Sequence, residues 1–103
     1  WRKTAHAHAY ETLQAKQKAF DPSCLRCHVV GLGHPGGFQS AAASPNLMGV
    51  GCESCHGPGS DHVASPGPGY GALPRGPASC QGCHSVDNSP DFEFEDYWAQ
   101  VAH

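Results

Sequence analysis

The sequence predicts a mainly α-helical chain with extensive loops and little or no β-sheet. Residues 4–19 contain neither glycine nor proline, and their apolar side chains recur at helical spacing. Glycine and proline, at 13 and 9 of the 103 residues, are concentrated between residues 29 and 79. No segment alternates polar and apolar side chains as a half-buried strand does. These three observations together indicate a few helices joined by long, turn-rich connections.

The first predicted helix covers residues 4–19, with Thr4 as its N-cap. Four side chains at helical spacing share one face of this helix: His6, Tyr10, Leu13 and Gln17. Phe20 is expected to extend that face. The turn sequence Asp21-Pro22-Ser23 is expected to end this helix.

A second helix is predicted over residues 94–102, after the turn residues Asn88, Ser89 and Pro90. Its apolar side chains fall at i, i+3, i+4 and i+7: Phe94, Tyr97, Trp98 and Val101. Residues 29–51 are expected to be mostly loop, and residues 57–79 entirely loop, because glycine and proline interrupt both stretches.

Composition and charge exclude several classes of protein. The net charge is −3, which argues against nucleic-acid binding. The sequence contains no run of about 18 apolar residues, which is the length that a membrane span requires. No basic-then-apolar leader begins the chain, so a mature chain or a fragment is expected. Hydrophobic residues make up only 39%, which is little for a core that must stabilise a domain of this size without a disulfide, metal or cofactor.

All six cysteines belong to three copies of the motif Cys-x-x-Cys-His, which is the attachment signature of c-type haem. Two thiols bond to the two vinyl groups of one porphyrin, and the histidine that follows lies beneath the iron as its proximal ligand. The sequence therefore predicts three haem c groups with iron, held by nine residues: Cys24, Cys27, His28, Cys52, Cys55, His56, Cys80, Cys83 and His84.

Three other uses of cysteine pairs fit this pattern less well. A disulfide framework rarely places histidine after every second cysteine. A zinc site takes four ligands from two such pairs, so three pairs would leave one unmatched. Iron–sulfur clusters use other spacings. The interior is accordingly expected to consist of porphyrin faces packed against aromatic and small aliphatic side chains.

Several segments resemble the multihaem cytochromes c of the cytochrome c-554 family. They are Thr4-Ala5-His6-Ala7-His8-Ala9-Tyr10, Cys24 to Gly31, Gly51-Cys52-Glu53-Ser54-Cys55-His56-Gly57-Pro58-Gly59 with His62, and Ser89-Pro90-Asp91-Phe92 to Tyr97-Trp98. The resemblance implies a helical, loop-rich fold, closely stacked haems with mostly bis-histidine ligation, and periplasmic or extracellular electron transfer. Family members typically carry four or more haems, so residues 1–103 are expected to be one trihaem domain, either a small member or a piece of a longer multihaem chain.

Five further histidines and one methionine could supply the distal ligands of the irons. The resemblance implies ligands at His6 and His62, and His6 also lies on the apolar face of the first predicted helix. His8 and His103 are the next candidates, whereas the glycine-flanked His34 is expected to be solvated and Met48 to pack rather than ligate. His8 points roughly 200° around the helix from His6, so the two are not expected to bind one iron.

A constant step relates three of these histidines to the motifs. His6, His34 and His62 each precede a motif by 18 residues, and the motifs themselves recur every 28 residues. A structural repeat with one distal ligand per unit would produce this step. Coincidence would as well, and the unlike residues around the three histidines favour coincidence.

The two ends of the chain carry opposite charge. Residues 1–26 hold five basic and two acidic side chains, whereas the residues after Arg75 hold five acidic and no Lys or Arg side chains. Unlike ends favour head-to-tail contacts between copies, which form a filament when they do not close. Such a contact could let His8 or His103 bind an iron of a neighbouring copy. The alternative is an ordinary solvated asymmetry of charge.

Electron transfer between redox partner proteins is the predicted function, because haem carries the electron and the protein sets its ligation and surroundings. About 34 residues per haem cannot wrap three haems separately, so the haems are expected to lie close enough together to form a short wire. Two alternatives stay open. One iron could lack a distal ligand and act as an enzyme on a small nitrogen or oxygen species, or the chain could be a subunit of a polymeric filament. Covalent haem attachment occurs outside the cytoplasm, so a periplasmic or extracellular location is expected.

Overall fold

The computed structural model describes residues 1–73 and 75–103, and these form two compact units, Trp1–Ala72 and Leu73–His103. The helices are α1 (Ala9–Ala15), α2 (Pro22–His28), α3 (Cys52–His56), α4 (Ser60–Ala64) and α5 (Phe94–Val101), with 3₁₀ turns at Pro45–Leu47 and Pro77–Ser79. Strand pairing in the described residues is limited to one isolated bridge, Val29 to Met48. The predicted class, mainly α with extensive loops, is confirmed. None of these helices has the length and apolar character that crossing a membrane requires.

The first helix is shorter than the sequence predicts. Residues 5–8 form hydrogen-bonded turns, α1 begins at Ala9, and the helix ends because Gln17 takes a left-handed conformation with φ of 54°. The N–H of Lys18 then donates to the Leu13 carbonyl at 2.8 Å, which closes a Schellman-type end. Glycine usually takes this position, so the glutamine gave no signal of the stop.

The residues expected to end the first helix instead begin α2. The Asp21 carboxylate accepts a hydrogen bond from the backbone N–H of Ser23 at 3.0 Å, and Pro22 occupies the first helical position. Both choices are typical of helix N-termini. The first haem motif is therefore helical, and its Leu25 side chain is buried.

A small hydrophobic core stabilises the first unit, where α1 packs against α2. Its buried members are Tyr10, Leu13, Leu25, Val29 and Phe38. The rings of Tyr10 and Phe38 meet at 5.7 Å between centroids. Met48 packs at the edge of this core, as expected, but Phe20 is 77% exposed and does not extend the face as the sequence suggested.

The connection between the second and third motifs is more structured than predicted. Residues 57–79 were expected to be loop throughout, yet they contain α4 and the turn Pro77–Ser79. Five- and three-residue elements are too short to produce a periodic pattern of apolar side chains, so the sequence could not reveal them. The prediction that residues 29–51 are mostly loop holds, with Pro45–Leu47 as a short exception.

The second unit contains the helix that the aromatic spacing predicts. α5 runs from Phe94 to Val101, and its half-buried side chains are those of the predicted apolar face, whereas its other side chains are exposed. Phe94 and Trp98, one turn apart, stack at 5.7 Å between ring centroids. An ion pair between Arg75 and Glu95 joins the helix to the start of the unit.

Candidate haem sites

The first motif lies on α2, whose geometry suits attachment to one porphyrin. Cys24 and Cys27 are three residues apart, so a helix places both thiols on one side. His28 ends the helix, and its Nδ1 lies 2.6 Å from the carbonyl oxygen of Ala9. A carbonyl can only accept, so Nδ1 carries the proton and Nε2 is the nitrogen available for a metal.

The second motif repeats this arrangement on α3. Cys52, Cys55 and His56 occupy one short helix, and His56 Nδ1 donates to the carbonyl oxygen of Gly71 at 2.6 Å. Gly71 has φ of +63°, and a Cβ there would lie 2.8 Å from the His56 Cβ. Only glycine allows the backbone to come this close to the imidazole in this conformation.

The third motif lies in the second unit, after the turn Pro77–Ser79. The N–H of His84 donates to the carbonyl of Cys80 at 2.9 Å, so the motif makes one helical turn. His84 Nδ1 lies 3.1 Å from the hydroxyl of Ser89. The ring of Phe92 stacks on the imidazole at 4.8 Å, and Tyr97 meets its edge at 5.3 Å. Burial lowers the pKa of His84, which favours the neutral ligand form.

These three histidines share a feature that is typical of histidines that bind metals. In each one Nδ1 is anchored to an oxygen, which fixes the ring plane and directs Nε2 as the coordinating nitrogen. Each motif supplies two thiols for attachment to a porphyrin and one imidazole for its iron. A structural zinc site needs four such donors, whereas haem iron takes four of its ligands from the porphyrin. The donor set therefore fits haem c.

A recess beside the second motif offers an apolar surface. Its volume is about 250 Å³, and it is lined by Trp1, Val30, Asn46, Leu47, Gly51, Cys52 and Glu53. The indole N–H of Trp1 donates to the carbonyl of Val50 at 2.7 Å, which holds that ring at the wall of the recess. Cys52 lies in the wall, so the other residues of the recess would line the attachment point of a haem bonded to its thiol.

The two favoured distal candidates both lie in the first unit. His6 is half-buried in the turns before α1, and its carbonyl accepts from the N–H of Val50 at 2.9 Å. His62 is half-buried on α4, where its ring stacks on Tyr70 at 4.6 Å and 12°. The Tyr70 hydroxyl donates to the carbonyl of Gly57 at 2.5 Å, so this ring is fixed against the end of α3.

The other candidates have different surroundings. His8 is exposed, with Nδ1 3.1 Å from Glu11 and Nε2 3.1 Å from the Arg2 carbonyl. Two acceptors require two N–H donors, so this geometry suits an imidazolium, and the Glu11 contact raises the pKa of His8 accordingly. His103 is exposed and its Nδ1 lies 3.0 Å from the Val101 carbonyl. His34 is exposed in its glycine-rich loop.

Comparisons with known proteins identify the family of this chain. The sequence pattern of the family described as cytochrome c554 and c-prime matches residues 1–57, more than half of the chain. The chain belongs to this family. It is 49% identical over 74 residues to cytochrome c-554 of Nitrosomonas europaea, an alignment that covers 57% of this chain and 32% of that protein. The chain thus spans about a third of the length of this relative. The comparison with solved structures found none that matches this chain.

Family membership supports haem c with iron as the cofactor. The matched residues include the first two motifs and His6, whereas the third motif lies beyond residue 57. The resemblance predicted from the sequence is confirmed.

The sequence did not reveal the groups that hold the three imidazoles. Ala9 and Gly71 act through backbone carbonyls, which carry no signal in the identity of the residue. Ser89 acts through its side chain but lies in a turn, where serine is common in any case. The sequence did not identify Tyr70, because it belongs to no periodic pattern and is surrounded by glycine and proline. The presence of a large aromatic side chain in such a loop was the signal that could have identified it.

Proposed function

We propose that this chain transfers electrons through three haem c groups attached at its three Cys-x-x-Cys-His motifs. The observation that supports this most strongly is the anchoring of Nδ1 in His28, His56 and His84, since a ring held in this way needs little rearrangement between oxidation states. Haem, when bound, supplies one-electron chemistry at iron. The protein supplies the attachment points, the orientation of the imidazoles and their surroundings.

His6 and His62 are the distal ligands in this proposal. Both are half-buried; the backbone carbonyl of His6 accepts a hydrogen bond from the Val50 N–H, and the ring of His62 stacks on Tyr70. For His62 the fixing element is the turn between α3 and α4, in which the Glu53 carboxylate accepts a hydrogen bond from the Gly59 N–H at 2.6 Å. Because Glu53 lies inside the second motif, this bond sets the distance between that motif and His62.

The proposal extends to the organisation and location of the protein. Residues 1–103 form a trihaem domain, either complete in itself or part of a longer multihaem chain. The three haems are close to one another, because so few residues cannot separate them. The location is periplasmic or extracellular, since covalent haem attachment takes place outside the cytoplasm.

Mass spectrometry of motif variants tests the haem count. The chain is produced in a host that attaches haem c, and its intact mass is compared with that of three double variants, C24A/C27A, C52A/C55A and C80A/C83A. We expect the parent to carry three haems and each variant two. A parent mass equal to the bare chain would overturn the proposal.

Electron paramagnetic resonance tests the distal ligands. We expect His6→Ala and His62→Ala each to convert one low-spin iron to high spin, because each removes one of its two imidazoles. His34→Ala is the matched control, since His34 is exposed in its loop, and it should leave the spectrum unchanged. Unchanged spectra for all three variants would exclude both assignments.

A catalytic role at the third motif is the second candidate. The second unit contains two histidines, His84 and His103. If no histidine completes the third iron, it could bind a small nitrogen or oxygen species. Addition of nitrite or cyanide distinguishes the two roles, because a shifted high-spin ferric signal supports catalysis and an unchanged low-spin spectrum supports electron transfer.

Partners in this proposal are redox proteins or further copies of this chain. The basic first 26 residues and the acidic residues after Arg75 would attract each other between copies, with His103 as a ligand to a neighbouring iron. His8 suits that role less, because both of its ring nitrogens already have acceptors. Light scattering and electron microscopy at low salt test this. Protein that stays monomeric at high concentration would exclude head-to-tail assembly.

A further inference from the structure

The third motif differs from the first two in the kind of group that accepts the hydrogen bond of its histidine. His28 and His56 donate to backbone carbonyls at 2.6 Å, whereas His84 Nδ1 lies 3.1 Å from the Ser89 hydroxyl, to which it would donate with Nε2 on iron. A backbone acceptor is present whatever the side chain is. A side-chain acceptor, in contrast, depends on the identity of one residue, here Ser89.

Backbone hydrogen bonds on both sides of Ser89 hold its hydroxyl near the imidazole. The Ser89 N–H donates to the Ser85 carbonyl at 2.7 Å, and the Ser89 carbonyl accepts from the Phe92 N–H at 3.0 Å. The second of these bonds belongs to the turn that places the Phe92 ring on the His84 ring. The same turn therefore sets both the hydrogen bond and the plane of the imidazole.

The strength of this hydrogen bond affects the electronic character of the ligand. A good acceptor draws the Nδ1 proton away from the ring, which makes Nε2 a stronger donor to iron and favours the ferric state. The contact of His84 with Ser89 is longer than those of the other two motif histidines with their carbonyls, so it withdraws the proton less.

We propose that Ser89 is a positioning residue that sets the reduction potential of the haem held by the third motif, through its hydrogen bond with His84 Nδ1. This rests on the proposed function, because it requires haem at Cys80 and Cys83. It goes further in assigning one side chain as the means by which this site is tuned separately from the other two.

Nearby charge acts on the same potential and has to be separated from the hydrogen bond. The second unit carries five carboxylates, all exposed: Asp87, Asp91, Glu93, Glu95 and Asp96. Negative charge also favours ferric iron, but salt screens exposed charges beyond about 8–10 Å at ordinary ionic strength. A direct hydrogen bond is not screened. The dependence on salt therefore distinguishes the two effects.

The test uses substitutions with opposite expected signs in the haem-loaded chain. Ser89→Ala removes the acceptor and should raise the midpoint potential of one of the three haems. Ser89→Asp provides a carboxylate acceptor and should lower the potential of that same haem, whereas Ser89→Thr keeps the hydroxyl and should restore the parent value. Potentials are measured by redox titration followed by absorbance and electron paramagnetic resonance, and the Nδ1 proton of His84 is followed by NMR.

Two control variants isolate the hydrogen bond. Ser85→Ala removes a hydroxyl that lies in the same turn and accepts a hydrogen bond from the Asn88 side chain. Asn88→Asp adds a negative charge next to Ser89 in the sequence. We expect the first to leave all three potentials unchanged and the second to produce a shift that disappears at high salt. The Ser89→Asp shift should persist at high salt.

The outcomes distinguish this inference from the proposed function. Three attached haems whose potentials do not respond to Ser89→Ala, or respond to Ser89→Ala and Ser89→Asp in the same direction, would overturn the inference alone. A chain without attached haem would overturn both. If Ser89→Asp does not fold, Ser89→Ala compared with Ser85→Ala decides, since both remove a single hydroxyl.

Discussion

His28 donates a hydrogen bond from Nδ1 to the carbonyl oxygen of Ala9, 2.6 Å away, and thereby joins the first haem motif to the start of α1. The same helix contributes Tyr10 and Leu13 to the buried core. The orientation of the first proximal imidazole therefore depends on how α1 packs, even though 19 residues separate the two partners.

Truncation of a core side chain on α1 tests the packing on which this contact depends. Leu13 is 5% exposed, so we expect Leu13→Ala to lower the free energy of unfolding by about 2–5 kcal/mol through lost burial and a residual cavity. Chemical denaturation of the haem-loaded protein measures the loss. Val63→Ala is the control, because Val63 is 79% exposed and should change stability by no more than about 0.5 kcal/mol. Equal losses for the two variants would contradict the assignment of the core.

Substitution of Gly71 tests the contact that holds the second proximal histidine. We expect Gly71→Ala to change the spectroscopic signature of one haem and to destabilise the protein by about 1–3 kcal/mol, because φ of +63° strains alanine and its Cβ would lie 2.8 Å from the His56 Cβ.

Gly69→Ala is the matched control for this variant. Gly69 has a similar positive φ of +89°, but its added Cβ would meet nothing within 4 Å. Backbone strain alone therefore predicts equal effects of the two substitutions. Displacement of His56 predicts a spectroscopic change in Gly71→Ala that is absent in Gly69→Ala.

The N-cap of α2 should make stability depend on acid pH. Hydrogen bonds from Ser23 lower the pKa of Asp21 below the usual 3.8. The bond from the Ser23 hydroxyl has the larger effect, and the bond from its backbone N–H has the next largest. The cap therefore contributes fully above that value, and its contribution is lost as the pH falls through the lower folded pKa. Thermal unfolding of the parent and Asp21→Ala should differ at pH 6 and converge at pH 2. Asp21→Asn, which keeps an acceptor, should stay close to the parent at pH 6.

The contact between His8 and Glu11 should act in the opposite direction. The hydrogen bond to Glu11, which has the largest effect, and the negative charge of Glu11 both raise the pKa of His8 above 6.5. This stabilisation is complete below 6.5 and is lost as the pH rises through the raised folded value. We expect Glu11→Gln to lower the melting temperature more at a pH just below 6.5 than at alkaline pH, and to return the pKa of His8 toward 6.5 in an NMR titration. Asp87→Asn, an exposed control in the second unit, should leave that titration unchanged.

The sequence alone determined the features that depend on local chemistry. Each Cys-x-x-Cys-His motif brings its two thiols and its histidine together within five residues, so the haem prediction needed no tertiary information. The periodic face of α5 was likewise sufficient for its position, because a regular helix repeats every 3.6 residues. The family resemblance followed from the same local motifs.

The tertiary structure decided where helices stop and what holds each motif histidine. Gln17 ended α1 through a backbone conformation that its side chain does not favour, and Pro22 opened a helix where a loop was expected. Ala9 and Gly71 meet their imidazoles through carbonyl oxygens that every residue possesses. Such contacts arise from the path of the chain through space, and that path depends on interactions between residues far apart in sequence.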